Sequence, residues 1–260
     1  MLKTKQKKIL NIGHPRVGNT WIGHVMSYAL NAQFVEYDID GNYLIDSDID
    51  EVIFKIGGEI PDRINTSIIK IEKTHFLPDQ WKNIDENLDV IKIYLHRNLR
   101  DAAVSYFHYS YNHRPFVETG KVKESNYFER KFFIMKKIRS HLIHKERWNT
   151  CVDGYITYED MKNDGYNTIA NLFESLNIQY DEEYLKEALD FFSWENTTKM
   201  EKKLRKPGTV NNKEFFRSGI SGSYKKEFDL LDYIFSIIAY ISVHAFFRKP
   251  INFVIKLLKL

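Results

Sequence analysis

A single cysteine, Cys151, occurs in 260 residues. It permits no internal disulfide and no thiolate zinc cluster, and a reducing compartment is the simpler setting. Glycine and proline are scarce, 12 and 6, which excludes a collagen-like chain or a Pro/Gly-rich linker protein. Charge of one sign is also lacking. The 38 Lys and Arg stand against 35 Asp and Glu, a formal net charge of +3, too little to indicate a nucleic-acid partner. Met1–Lys8 is basic, but the apolar stretch behind it, Ile9–Ile12, is too short for the core of a secretory signal. There is no internal repeat and no low-complexity tract. What the chain does have is apolar and aromatic bulk, 43% and 15% of its residues. That is enough for a substantial core and too much for disorder.

Short apolar runs recur, each followed by a loop and a helical pattern. Lys8–Gly13 reads as a buried strand with a helix over Thr20–Leu30 behind it. Ser67–Ile71 is a second strand. Val90–Leu95 is a third, followed by a helix from about Arg100 to Tyr111. Gly154–Thr157 is a short fourth, with helices near Tyr166–Leu176 and Glu182–Phe192. Strands alternating with helices predict a single α/β domain around a central parallel sheet. Ligands of such sheets sit at the carboxyl ends of the strands, so the loops after the strands are where chemistry is expected.

The loop after the first strand is Gly13-His14-Pro15-Arg16-Val17-Gly18-Asn19-Thr20. Two glycines five apart, between a strand and a helix, have the layout of a phosphate cradle, although an ordinary strand-to-helix turn has the same look. The Walker lysine is absent: Asn19 stands in its place, and the basic residue is Arg16. The third strand ends in His96-Arg97 rather than in the carboxylate that holds magnesium in nucleotide hydrolases. A nucleotide bound without metal fits both absences. The second loop continues as Asn98-Leu99-Arg100-Asp101 with Ser105 eight residues after Arg97. Arginine's forked donors suit a phosphate. The alternative for Arg100 and Asp101 is a pair of surface charges, Asp101 being favourable in a first helical turn.

Five segments together resemble the PAPS-dependent sulfotransferases, enzymes that use 3′-phosphoadenosine 5′-phosphosulfate. HPRVGNTW is similar to the family's PKSGTTW, and HRNLRDAAVSYFHY to its RNPRDVAVSYYH. Lys73-Thr74-His75-Phe76-Leu77-Pro78 resembles KTHLP with one residue extra. Tyr158-Glu159-Asp160-Met161 matches YEDM. Phe216–Lys225, FRSGISGSYK, is similar to FxRKGxxGDWK. All five occur in family order. The resemblance implies a P-loop sulfotransferase architecture that moves a sulfuryl group from PAPS to an acceptor, leaves PAP and needs no metal. It implies that Arg16, Val17, Gly18, Asn19, Thr20 and Trp21 hold the 5′-phosphosulfate. Arg97 and Ser105 would hold the 3′-phosphate, Tyr158 and Trp194 would lie by the purine, and Arg217, Ser218 and Gly219 would close over the 3′-phosphate. His75 would be the general base, with Arg16 and Lys73 meeting developing charge. Arg16 replaces the family's catalytic lysine. It keeps the charge but is a poor proton donor, so electrostatic stabilisation of the leaving oxygen is expected instead; the tyrosylprotein branch of the superfamily also carries arginine there. The rival readings are a kinase-like phosphotransferase and a catalytically silent PAP-binding, membrane-associated protein.

Other features stand apart from this set. His141 and His144, three apart on a helix, read as a solvated face rather than a metal pair. Tyr106, Phe107, Tyr109 and Tyr111 would line an acceptor pocket or pack in the core. The basic runs Lys3–Lys8 and Lys199–Lys206 read as solvated surface. The expected division is a catalytic domain over 1–228 and an apolar helical tail over 229–260. Leu230–Phe247 would be about 27 Å long as a helix, but Asp232 and His244 oppose a bilayer span. Ile251–Leu260, with Lys256 and Lys259, resembles an interfacial helix. The tail is read as packed on the domain or on a second copy, with peripheral membrane contact as the alternative. The partner is read as a small-molecule or lipid-like hydroxyl acceptor with no nucleic acid. The location is read as cytoplasmic, with membrane association through 230–260 as the variant.

Overall fold

Five short strands, all parallel, form one sheet in the order β2-β3-β1-β4-β5. A computed structural model of the chain describes residues 6–37, 67–204 and 219–243. The strands are β1 (Lys7–Ile12), β2 (Gln33–Glu36), β3 (Ile68–Thr74), β4 (Asp89–His96) and β5 (Gly154–Thr157). The helices are α1 (Asn19–Leu30), α2 (Leu99–His108), α3 (Arg114–Thr119), α4 (Tyr127–Trp148), α5 (Tyr158–Ser175), α6 (Glu182–Phe191), α7 (Trp194–Leu204) and α8 (Leu230–Val243). A π-helical turn spans Tyr109–His113 and a 3₁₀ turn Ser223–Lys226. The α/β class and the parallel sheet are as the sequence predicts.

The described residues fall into two compact units. One holds the chain through His96 and again from Trp148 to Leu204; the other holds Arg97–Arg147 and the residues from Gly219 onward.

The first unit carries the sheet. β1 is buried almost throughout, as expected for a central parallel strand covered on both faces. It pairs with β3 on one side and β4 on the other. Leu10, Ile12, Tyr94 and Trp148 form one apolar cluster. α1 ends at Asn31, whose left-handed φ of 50° lets its N–H reach back to Ser27 and Tyr28 carbonyls. α5 starts on Thr157, whose hydroxyl accepts from the Asp160 amide. Asp164 is non-helical within α5, and the helix expected from Tyr166 is the part of α5 beyond that kink. Lys8, expected on the surface with its basic run, is fully buried. Its ammonium lies 2.5 Å from Glu72 Oε2 and 3.2 Å from Asp85 Oδ2. Trp81 Nε1 donates to the other Glu72 oxygen at 2.6 Å. A buried lysine persists only when so paired. Lys70 also bonds Asp85. Burial would raise the Asp85 pKa, but the two lysines outweigh it and hold the carboxyl below the ordinary range.

The second unit is helical. Leu99, Val104, Phe107, Tyr111, Ile134 and Ile138 lie in its core with Tyr224 and Ala239. Burial, with a hydrogen bond to Glu129, pushes the Tyr111 phenol up to about 12. His141 and His144 are buried, 1% and 3% exposed, which corrects the expected solvated face. Helix α8, the described part of the apolar tail, packs its Ala239 into this core. Among the described residues no helix is long and apolar enough to cross a membrane. The expected interfacial segment Ile251–Leu260 lies outside them.

Candidate active site

Because every strand is parallel, the carboxyl ends of β1, β3, β4 and β5 share one edge of the sheet. Four of the five segments singled out in the sequence lie at these strand ends; the fifth, Phe216–Lys225, follows no strand among the described residues. The β1 and β3 ends are joined directly: the Gly13 amide donates to the Thr74 carbonyl at 3.2 Å, and His75 Nδ1 lies 2.5 Å from the Gly13 carbonyl. A carbonyl only accepts, so Nδ1 carries the proton. In the neutral ring Nε2 is then the lone-pair nitrogen, the form a general base needs.

The β1–α1 loop is built for close approach. Gly18 sits at φ 109° as the N-cap of α1, and Arg16 is left-handed at φ 75°. No side chain caps α1, and its first turn holds no acidic residue. Backbone N–H groups at such a terminus suit an anion. A Cβ on Gly18 would fall 2.9 Å from Tyr158 Cδ2. Gly18→Ala therefore combines backbone strain with overlap. It is expected to cost about 1–3 kcal/mol and several degrees of Tm, checked by thermal denaturation; an unchanged Tm would refute the strain.

Two loop residues contribute differently from the sequence reading. Val17 is fully buried, so what it can offer a ligand is backbone. The Asn19 side chain turns inward, its Nδ2 donating to the Asn11 carbonyl at 3.1 Å, while Asn11 Nδ2 donates to the Asn19 carbonyl at 2.8 Å. This exchange pins the loop to β1. Gly13 makes room for it, since a Cβ there would collide with the Asn19 side chain. Thr20 stands in the first turn of α1. Trp21 Nε1 donates to the Phe192 carbonyl at 2.7 Å, and its ring meets Tyr158 edge-on at 5.7 Å. Tyr158 opens α5 and is buried. Trp194 opens α7 with the Lys162 ammonium 5.5 Å over its ring; burial draws that ammonium below its ordinary pKa. Lys73 Nζ is 2.7 Å from Glu36 Oε2, so its charge is shared with a carboxylate that the sequence reading did not identify.

In the second unit Arg97 and Ser105 are nearly buried, 8% and 9% exposed. Asn98 caps α2, its side chain accepting from the Arg100 and Asp101 amides. Asp101 is not a surface charge. It is fully buried and accepts from the Gly222 amide at 2.6 Å, the Tyr224 amide at 2.9 Å and the Ser223 hydroxyl at 3.1 Å. It thus ties the start of α2 to the turn that follows the late loop. Arg100 is also no solvated charge: it donates to Ser236 Oγ at 3.3 Å and lies over the Tyr224 and Tyr233 rings. Gly219 has φ 59°. Arg217 and Ser218 lie outside the described residues. Among those described, no group of three or more metal-ligating side chains occurs.

The family profile described as "Sulfotransferase domain" matches residues 6–233. Sulfotransferase 1 family member D1 of Rattus norvegicus is 26% identical over 250 residues, covering 86% of this chain and 79% of the relative. Luciferin sulfotransferase of Photinus pyralis is 23% identical, covering 86% and 68%. Mouse sulfotransferase SULT7A1 complexed with PAP superposes with a TM-score of 0.61 at 18% identity, covering 92% of this chain and 84% of its own. Retinol dehydratase in complex with androsterone and inactive cofactor PAP superposes at 0.62 and 15% identity, covering 91% and 80%. At those identities the two structures speak to the fold.

Proposed function

The chain belongs to the sulfotransferase family, and from that premise we propose that it carries the sulfuryl group of PAPS to the hydroxyl of a small-molecule or lipid-like acceptor. The observation that carries the reading is the His75 Nδ1 hydrogen bond to the Gly13 carbonyl. It holds the ring in the tautomer whose Nε2 takes a proton, at the edge of the sheet where the phosphate-type loop begins. The residues fit the co-substrate. A glycine-shaped loop leads into an uncapped helix N-terminus without acid, and Arg16 adds a permanent charge beside it.

PAPS supplies the group transferred, and the protein does the rest. Backbone N–H groups of Val17–Trp21 bind and orient the 5′ end, and Arg16 faces the charge that grows on the bridging and sulfuryl oxygens. Arginine scarcely deprotonates, so this help is electrostatic and not a proton transfer. Lys73 contributes a second positive centre, moderated by Glu36. His75 accepts the acceptor's proton at Nε2 as the new O–S bond forms in line. Arg97 and Ser105 take the 3′-phosphate with Arg217, Ser218 and Gly219, and Tyr158 and Trp194 offer aromatic surface to the purine.

The test is PAP binding by calorimetry in EDTA with ATP as comparator. Tight metal-free PAP binding, weak ATP binding and roughly 10- to 100-fold loss in Arg97→Ala, the value of a charge-assisted contact, are expected. Binding of Mg-ATP alone would overturn the reading and favour a phosphotransferase.

A further inference from the structure

Helix α8 packs Tyr233, Phe235 and Ile238 against the core of the second unit, yet its most deeply buried line is mostly polar. The residues it buries are Asp232, Ser236, Ala239 and Ser242. Those it exposes include Leu230, at 75%, with Ile234, Ile237, Tyr240 and Ile241 between 38% and 53%. Leu230, Ile234, Ile237 and Ile241 follow the i, i+4, i+7, i+11 spacing of a single helical stripe, with Tyr240 on its shoulder. The inward face is held by charge instead of by apolar contact alone. Asp232 accepts from Lys131 Nζ at 2.5 Å and Arg130 Nη1 at 3.2 Å, and Ser236 accepts from Arg100. The helix therefore cannot rotate Leu230, Ile234, Ile237 and Ile241 inward without tearing Asp232 from its cations. The outward apolar stripe is a consequence of how α8 is anchored.

A contiguous apolar stripe of this kind marks a surface that something covers. We propose that the outward face of α8 docks on an anionic lipid bilayer, lying in its interface. The charge around the helix selects that occupant. Lys225 and Lys226 are exposed just before α8. After Asp232 the sequence has no Asp or Glu, while Arg248, Lys249, Lys256 and Lys259 are interleaved with Phe, Ile, Val and Leu. Apolar residues mixed with an excess of basic ones are the composition that anionic headgroups attract. The proposal stands apart from the sulfuryl-transfer reading.

The experiment is co-sedimentation of the full chain with vesicles of phosphatidylcholine, with and without phosphatidylserine. Sedimentation with the anionic vesicles that weakens with salt is expected. Ile234→Glu/Ile237→Glu, two changes at exposed positions, should lower the partition on the order of tenfold while Tm and PAP binding stay as in the unaltered chain. No sedimentation with either vesicle would overturn the proposal, as would equal binding by the double variant. A stable dimer in light scattering that the same variant dissolves would overturn it too, and would assign the face to a second copy.

Discussion

Replacing His75 with alanine is expected to lower kcat by 10²- to 10⁴-fold, the usual contribution of a positioned base, and to leave PAP affinity within a few-fold of the unaltered chain. The split follows from what His75 touches. Its Nδ1 engages a backbone carbonyl of the loop, and in the proposed reaction its Nε2 engages the acceptor, not the nucleotide. The loop keeps its other fastening, the reciprocal Asn11–Asn19 bonds and the Gly13 amide on Thr74, so the cradle survives the loss. The acid limb of the kcat/KM profile, where a base stops working because it is protonated, should also disappear. Steady-state kinetics over pH on both proteins, with PAP calorimetry as control, check this. A variant that keeps a tenth of the rate, or that loses PAP binding in parallel, would show that His75 is not the base.

The strands and the loops behind them were legible because each is local. Lys8–Gly13 announces itself as a buried run, and the glycines, arginines and His75 follow strand ends where a parallel sheet must place its ligands. What escaped was set by residues distant in the chain. β2 is four residues long, Gln33–Glu36, too short for a periodic signal, yet it brings the carboxylate that pairs with Lys73. Lys8 looked like one of a basic run because Glu72 and Asp85, 64 and 77 positions away, are invisible to local reading. Asp101 fits a first-turn surface acid equally well until the amides of Gly222 and Tyr224 are found on it. Asn19 was placed with the ligand-binding polar groups of its motif, but its side chain serves the loop's own backbone. Two adjacent hydroxyl or amide residues at a helix start do not reveal which one turns inward. In α8 the composition disclosed an apolar helix but not which of its apolar residues face outward, since that depends on Lys131 and Arg130, about a hundred positions away.

That charged anchoring makes the cluster beneath α8 a sensitive structural point of the second unit. Lys131 is 2% exposed and Asp232 is fully buried. Lys131→Met keeps the volume of the stem but leaves the Asp232 carboxylate with Arg130 as its cation and the Asp229 amide as a further donor. Removing one partner of a buried pair typically costs about 3–5 kcal/mol. With Arg130 still 3.2 Å away the lower end is expected, a fall in Tm of roughly 6–12 °C for a chain of this size. Lys131→Met/Asp232→Leu removes the stranded charge as well and should recover much of the loss. The pH dependence has a definite sign. Hydrogen bonds from Lys131 and Tyr127 hold the Asp229 carboxyl well below the usual carboxylate range. Its stabilisation is complete above the unfolded carboxylate value of about 4 and is lost as pH falls through the lower folded value. Burial would lower the Lys131 ammonium, but Asp229 and Asp232 outweigh it and raise it. That contribution is present below about pH 10.4 and fades as pH rises through the raised value. The gap in Tm between the unaltered chain and Lys131→Met should therefore be widest near neutrality and narrow at both extremes in scanning calorimetry. A single variant that melts within 2 °C of the parent, or a double variant no better than the single, would mean that α8 is held by its apolar contacts and not by charge.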